Sequence, residues 1–210
     1  MKKFLFLLSA LALVTGGCAQ KPADNTAASS TPKPAASTST APKANEKKAP
    51  STNPVPSDWV RMYNDAKGYE FYVPAGTKDQ SQNVEGVDVY LANVPAPYDI
   101  GVVVVAFKDK TLTKDDLLKR AENILKSMGE KDIKIDAPKE LSDDYSLASC
   151  SSVDEKGKTT KAKILVGTDV TDNYIILVGT DSDKFGANEK TIDEIWGSFG
   201  MYSGGASGNS

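Results

Sequence analysis

The chain of 210 residues contains no histidine. That absence removes the commonest general base at neutral pH, every Ser–His or Cys–His nucleophile pair, and every imidazole metal ligand. Cysteine is scarce as well: Cys18 and Cys150 are the two. The sequence holds no Gly-x-x-x-x-Gly-Lys-Ser/Thr phosphate loop, no Gly-x-Gly-x-x-Gly and no Gly-x-Ser-x-Gly, so the loops that cradle phosphates or present a serine nucleophile are missing. The longest leading apolar run, Phe4 to Val14, is well short of the roughly 20 residues a membrane-spanning helix needs. Aromatic residues are absent between positions 19 and 57, so that stretch has little with which to build a core.

What is present begins with an address. Lys2 and Lys3 precede the apolar run, Thr15-Gly16-Gly17 supplies small residues, and Cys18 follows. This is the order of a secretory signal. With cysteine at its end it resembles the lipoprotein signal of bacteria. There, cleavage falls between the small residue and the cysteine, here Gly17 and Cys18, and the cysteine is acylated. Thr15 stands where leucine or valine is commoner. The resemblance implies two or three acyl chains on Cys18. Each buried CH₂ contributes about 0.8 kcal/mol, and a durable anchor needs more than one chain. It also implies a bacterial cell-envelope location, with the domain facing the periplasm or the exterior. Ala19 rather than Asp after the cysteine favours the outer membrane of a two-membrane cell. Acylation leaves Cys150 as the only thiol, which removes cysteine zinc sites and intrachain disulfides.

Residues 18–57 form the next unit. From Ala19 to Ser57 the composition is Ala, Ser, Thr, Pro, Lys and Asn, with seven of the eleven prolines. Such a segment buries too little apolar surface to offset its ordering entropy and is expected to be a disordered tether. Its coil span is roughly 35 Å and its stretched limit near ~120 Å. The signal segment carries +2, from Lys2 and Lys3, and the tether +3, which leaves −8 for the remainder of a total of −3. A basic tether is drawn to anionic head groups by up to about 1 kcal/mol per lysine. An acidic domain excludes nucleic acid as the expected partner, because phosphate contacts need Lys and Arg.

Residues 58–202 are a normal single-domain length, and 203–210 read as a flexible tail. Trp59 to Asn64 and Tyr69 to Val73 read as strands around a turn at Asp65 to Gly68. Val84 to Ala92 alternates, with Val87, Val89 and Leu91 on one face and Asp88 and Tyr90 on the other. Ile100 to Phe107 is continuously apolar and β-branched, as a central strand covered on both faces must be. A helix follows, with Thr113 as N-cap, Asp116 three residues on, apolar residues at Leu117, Leu118, Ala121, Ile124, Leu125 and Met128, and Gly129 as terminator. Strands are expected at Ile133 to Leu141, Tyr145 to Val153, Lys158 to Thr168 and Asn173 to Thr180, joined by short turns and therefore antiparallel. A closing helix is expected over Asp183 to Gly200, with Ile192, Ile195, Trp196 and Phe199 on one face. The fold class is α+β: a mostly antiparallel, meander-rich sheet flanked by helices.

Gly68-Tyr69-Glu70-Phe71-Tyr72-Val73-Pro74 resembles the early strand of the PsbP/Mog1-like domains. The order of strands, long helix, strands and a short final helix ending in Ile192-Asp193-Glu194-Ile195-Trp196-Gly197-Ser198-Phe199 is similar to theirs, and together they cover most of 58–202. The resemblance implies an α-β-α sandwich and a non-enzymatic binder, since the characterised members of that family are mostly non-enzymatic binders; it also includes many bacterial lipoproteins of unknown role. Its photosystem members assist ion retention in part through histidines, which this chain lacks. Its eukaryotic member binds a nuclear GTPase, a partner absent from a bacterial envelope.

No catalytic residue, metal ligand set or cofactor is expected. Cys150 sits in mid-strand with no histidine and reads as a small buried hydrophobe rather than a reactive thiol. Asp115/Asp116, Asp143/Asp144, Asp154/Glu155 and Asp181/Asp183 all fall at turns or helix starts, where Asp caps backbone N–H groups. Asp169 to Asn173 and Asp181 to Asp183 lack the spacing of a Ca²⁺ loop. Pro95, Pro97 and Tyr98, in Pro95-Ala96-Pro97-Tyr98, form a loop between strands that is the candidate surface for a partner or ligand. Three functions are open: a membrane-anchored accessory module with an envelope protein partner, a carrier of a small amphiphile, and a hydrolase using carboxylates alone.

Overall fold

The structure, a computed structural model, describes residues 46–48, 55–84, 87–107, 112–168 and 172–202. The signal segment, Gly17, Cys18, most of the tether and the tail from Ser203 lie outside the described residues. In chain order the elements are β1 (Glu46–Lys48), β2 (Val60–Asn64), β3 (Tyr69–Val73), β4 (Lys78–Val84), β5 (Val87–Val94), β6 (Ile100–Phe107), α1 (Lys114–Ser127), β7 (Lys131–Ile135), β8 (Lys139–Glu140), β9 (Tyr145–Val153), β10 (Thr159–Thr168), β11 (Asn173–Asp181), α2 (Ser182–Gly197) and β12 (Gly200–Tyr202).

A large antiparallel sheet runs β4-β5-β6-β11-β10-β9-β7, with β8 pairing to β9. The chain fills β4 to β6 by hairpins, and α1 then carries it across one face to β7 at the far edge. From there β9, β10 and β11 return by short turns until β11 pairs with β6. The continuous apolar run of β6 splits by the two-residue period of a strand. Val102, Val104 and Ala106 enter one core, and Val103 and Val105 the other. In β11, Tyr174, Ile176 and Val178 alternate in the same way with Ile175 and Leu177.

Helix α1 packs on one face through Leu117, Leu118, Ala121 and Leu125. Its start is a reciprocal capping box. The Asp116 amide donates to Thr113 Oγ1 (3.2 Å) and the Thr113 amide donates to Asp116 Oδ2 (3.1 Å). Gly129 stops it with φ of +87°, a conformation that costs an L side chain energy. The other face carries α2 and a small sheet of order β1-β12-β3-β2. An aromatic cluster joins them: the Phe199 ring lies 6.0 Å from Tyr69, 5.6 Å from Tyr174 and 6.4 Å from Tyr145. The Tyr174 hydroxyl donates to the Lys67 carbonyl at 2.5 Å, tying the β2–β3 turn to the large sheet.

Several expectations are refined. Strand β4 was not expected, because Lys-Asp-Gln-Ser-Gln-Asn-Val shows no apolar alternation. It is an edge strand and needs little burial. The next strand is Val87–Val94 rather than Val84 to Ala92. Tyr90, Ala92 and Val94 face the larger core, while Val87, Val89 and Leu91 are half-buried on the α1 side. The strand expected over Ile133 to Leu141 is two pieces, β7 and β8, separated at Asp136–Pro138, because proline has no amide to give to a ladder. The final helix stops at Gly197, and Phe199 belongs to the turn into β12. Within the stretch expected to be tether, Glu46–Lys48 pair antiparallel with Gly200–Tyr202.

Candidate functional site

The candidate loop, Pro95 to Tyr98, joins β5 to β6 at one end of the large sheet. The peptide between Ala96 and Pro97 is cis. The amides of Tyr98 and Asp99 both donate to the Pro95 carbonyl, at 3.1 and 3.3 Å. Asp99 takes φ of +50° to turn the chain into β6. Three side chains hold this turn from outside it. Asn188 of α2 donates through Nδ2 to the Tyr98 carbonyl at 2.6 Å, Thr180 of β11 donates through Oγ1 to the Asp99 carbonyl at 2.9 Å, and Lys184 pairs with the Asp99 carboxylate. Tyr98 packs half-buried against the core, and Pro95, Ala96 and Pro97 stand exposed at the tip. The structure thus separates the expected trio: the prolines are surface, whereas Tyr98 is partly structural.

Asp116, Asp154 and Asp181 have separate partners, while Asp99, Asp181 and Asp183 all act on Lys184. Asp116 caps α1. Its pKa lies below the usual carboxylate value, first because the Thr113 backbone amide donates to it and then because the Thr113 hydroxyl does. Asp154 Oδ1 accepts from the amides of Lys156 and Lys158, both at 2.8 Å, and closes the β9–β10 turn. Asp181 pairs with Lys158. Asp143 and Asp144 lie in the turn before β9. Among the described residues no three His, Cys, Asp or Glu converge as metal ligands do. Asp169 lies outside the described residues.

Cys150 is buried at 6% exposure on the α1 side of β9. Burial first, then the charges of Glu130, Asp136 and Glu122, push its thiol up to about 11. It packs as a small hydrophobe.

One feature had no signature in the sequence. Past the C-terminal end of α1, Cys150 and the floor of Gly101, Gly179 and Ala162 meet a polar cluster. Ser152 donates to Glu130 Oε2 at 2.6 Å, Thr160 donates to the same oxygen at 3.2 Å, and the two hydroxyls lie 2.7 Å apart. The recess between them has about 50 Å³ of space, room for a few waters. Drug-sized ligand pockets run to roughly 300–1,000 Å³. Register sets Ser152 opposite Thr160 across β9 and β10, and the turn after α1 brings Glu130 to them, so linear spacing could not find the three. The glycine floor has a structural cause: a Cβ on Gly179 would sit 2.7 Å from Ala162 Cβ.

No family model matches the sequence, and no curated protein matches it. Solved structures do resemble it. The cyanobacterial PsbP from Synechocystis superposes with a TM-score of 0.53 at 16% identity, covering 73% of this chain and 98% of that one. The Ran-binding protein Mog1p of Saccharomyces cerevisiae gives 0.48 at 10% identity, covering 67% and 94%. LpqN of Mycobacterium tuberculosis, described as involved in cell envelope biogenesis, gives 0.41 at 11% identity, covering 75% and 91%. The superposition on cyanobacterial PsbP carries the conclusion: the described domain has the PsbP/Mog1-like fold.

Proposed function

We propose that this chain is a lipid-anchored bacterial envelope protein whose folded domain is a non-catalytic binding or accessory module for an envelope protein partner. The observation that carries the reading is the mounting of Pro95 and Pro97. The two prolines are exposed, yet their loop is held by Asn188, Thr180 and Lys184. A surface already fixed in its bound shape avoids ordering cost on association. The separation of Asp116, Asp154 and Asp181 into a cap, a turn closure and an ion pair supports the non-catalytic part against the carboxylate hydrolase. The recess beside Glu130 has room for a few waters and is itself too small to hold an amphiphile. The anchor rests on the order Lys2-Lys3, apolar run, Gly17-Cys18, and outer-membrane placement on Ala19.

The test has two arms. Palmitate labelling of cells expressing the chain is expected to mark the wild type and not Cys18→Ala. A photocrosslinking residue at position 97 is expected to give one discrete envelope-protein adduct, and the same residue at position 80 on β4 is not. Adducts at neither position, together with an ester- or glycoside-hydrolysing activity lost on substitution of one Asp, would replace the binding reading with the hydrolase.

A further inference from the structure

The described residues have exposed large hydrophobic side chains at Val55, Val60 and Tyr63, all in or just before β2. Strand β2 is also the outer edge of the small sheet. An edge strand presents unpaired N–H and C=O groups, and proteins usually protect such edges with charge, brevity or bulges. The other edges here are protected. Strand β4 begins with exposed Lys78, Asp79, Gln80 and Ser81. Strand β7 carries Lys131 and Lys134 with a register break between them. Strand β1 is three residues, Glu46-Lys47-Lys48. Strand β2, Val60-Arg61-Met62-Tyr63-Asn64, combines five residues with an exposed valine and tyrosine.

Its two faces differ. Val60 and Met62 pair with Val73 and Phe71 and so share the core face, whereas Arg61 and Tyr63 pair with Tyr72 and Glu70 on the outer face. On that outer face the Arg61 guanidinium lies 4.6 Å from the Tyr63 ring centroid, and Arg61 Nε donates to Glu70 Oε2 at 2.6 Å. Arg61 and Tyr63 flank Met62 on this face, which makes the strand self-complementary about Met62. Antiparallel pairing with a second β2 about a two-fold axis at Met62 sets Arg61 opposite Tyr63 of the second copy, twice. Each ring then meets a cation from across the axis, an attractive geometry, and a two-fold interface requires this kind of reciprocal match. Shifting the axis to Arg61 sets two guanidiniums face to face, which disfavours it. Shifting it to Tyr63 sets Val60 opposite Ala66, beyond the end of the strand. Only the Met62 axis pairs all five residues.

We infer that β2 is a homotypic docking edge, through which two copies of this chain join their small sheets in antiparallel register centred on Met62.

The test uses the full chain carrying Cys18→Ala, so it is independent of the anchoring reading and leaves Cys150, which is buried, as the native thiol. Two proteins are made on that background, Arg61→Cys and Tyr63→Cys. Directly opposed residues in an antiparallel pair have Cα atoms about 4.5–5.5 Å apart, within disulfide reach. Under mild oxidation the mixture is expected to yield at least fivefold more disulfide-linked dimer than either protein alone. Equal yields, or a dimer from Arg61→Cys with itself, would overturn the register and the inference with it. Should either cysteine variant misfold, sedimentation decides. The Cys18→Ala chain is expected to dimerise with rising concentration, and Tyr63→Lys, which sets Lys opposite Arg61, is expected to weaken association at least tenfold without changing the melting temperature measured at concentrations where both proteins are monomeric. A chain that stays monomeric at every concentration, or a Tyr63→Lys protein that associates as before, refutes the docking edge.

Discussion

Gly167 offers a test in which the sign of the effect decides. It lies in β10, and glycine inside a strand is unfavourable by roughly 0.5–1 kcal/mol relative to alanine. Propensity alone therefore predicts that Gly167→Ala stabilises the protein. The structure predicts the opposite. A Cβ at this position would stand 2.9 Å from Tyr145 Cε1, 3.2 Å from Tyr145 Cδ1 and 3.3 Å from Met201 Sδ. Met201 can yield, being unbranched. Tyr145 has little freedom, since it is 1% exposed, sits in the β9 ladder and packs edge-on to Phe199. Inserting a methyl into such a site costs about 1–3 kcal/mol. Set against the propensity gain, the middle of the two ranges leaves a loss of about 1.3 kcal/mol. With a urea dependence of about 2 kcal/mol per molar, the midpoint falls by about 0.6 M. Gly186 is the control. It is exposed on α2, and nothing lies within 4 Å of its would-be Cβ, so Gly186→Ala is expected to raise stability by about 0.5–1 kcal/mol. Urea unfolding of both variants followed by circular dichroism is the assay. A Gly167→Ala protein as stable as the wild type would refute the packing argument, and in a Tyr145→Ala background the penalty of Gly167→Ala should largely vanish.

Further outcomes follow from the same geometry. Thr113→Ala removes the capping hydroxyl of α1 and is expected to lower stability by about 1 kcal/mol in urea unfolding. Because the native pKa of Asp116 is depressed, its contribution is present above the unfolded carboxylate value near 4 and is lost as pH falls through the lower native one. A pH series from 5 to 2 should therefore show a shallower decline for Asp116→Asn than for the wild type. Cys150, with its thiol pushed up to about 11 and its side chain buried, should react with iodoacetamide at pH 8 at less than about a hundredth of the rate seen in urea, where the thiol is exposed and near its ordinary value. Asn188→Ala withdraws the donor from the Tyr98 carbonyl. It should speed amide exchange in residues 96–99 and cost about 1–2 kcal/mol.

Where burial follows a strict period, the chain by itself determined the structure. Strand β9 begins and ends at Tyr145 and Val153 as expected, and β10, β11 and the two-sided strand β6 follow closely, because β-branched runs with short turns have few other ways to hide their apolar surface. Helix α1 was legible to the residue at its N-terminus, since Thr113, Asp116 and Gly129 act through local hydrogen bonds and backbone angles. Cys150 as a buried hydrophobe, Asp116 as a cap and Asp154 as a turn closure were legible for the same reason, whereas Asp181, expected as a cap, stands at the start of α2 with its side chain on Lys158 instead of a helix amide. Tertiary structure alone decided what depends on partners distant in the chain. Strand β4 exists because β5 offers it a ladder, and β12 because β3 does. Tyr90 rather than Leu91 faces the larger core because of which layer lies above it. Tyr98 is partly structural because α2 places Asn188 beside its carbonyl. Glu130, in the turn after α1, meets Ser152 and Thr160, which strand register sets opposite each other, and Gly167 is required by a tyrosine 22 positions away. Local preference acts over a turn or two of chain, whereas contact order, layer and edge are properties of the assembled sheets.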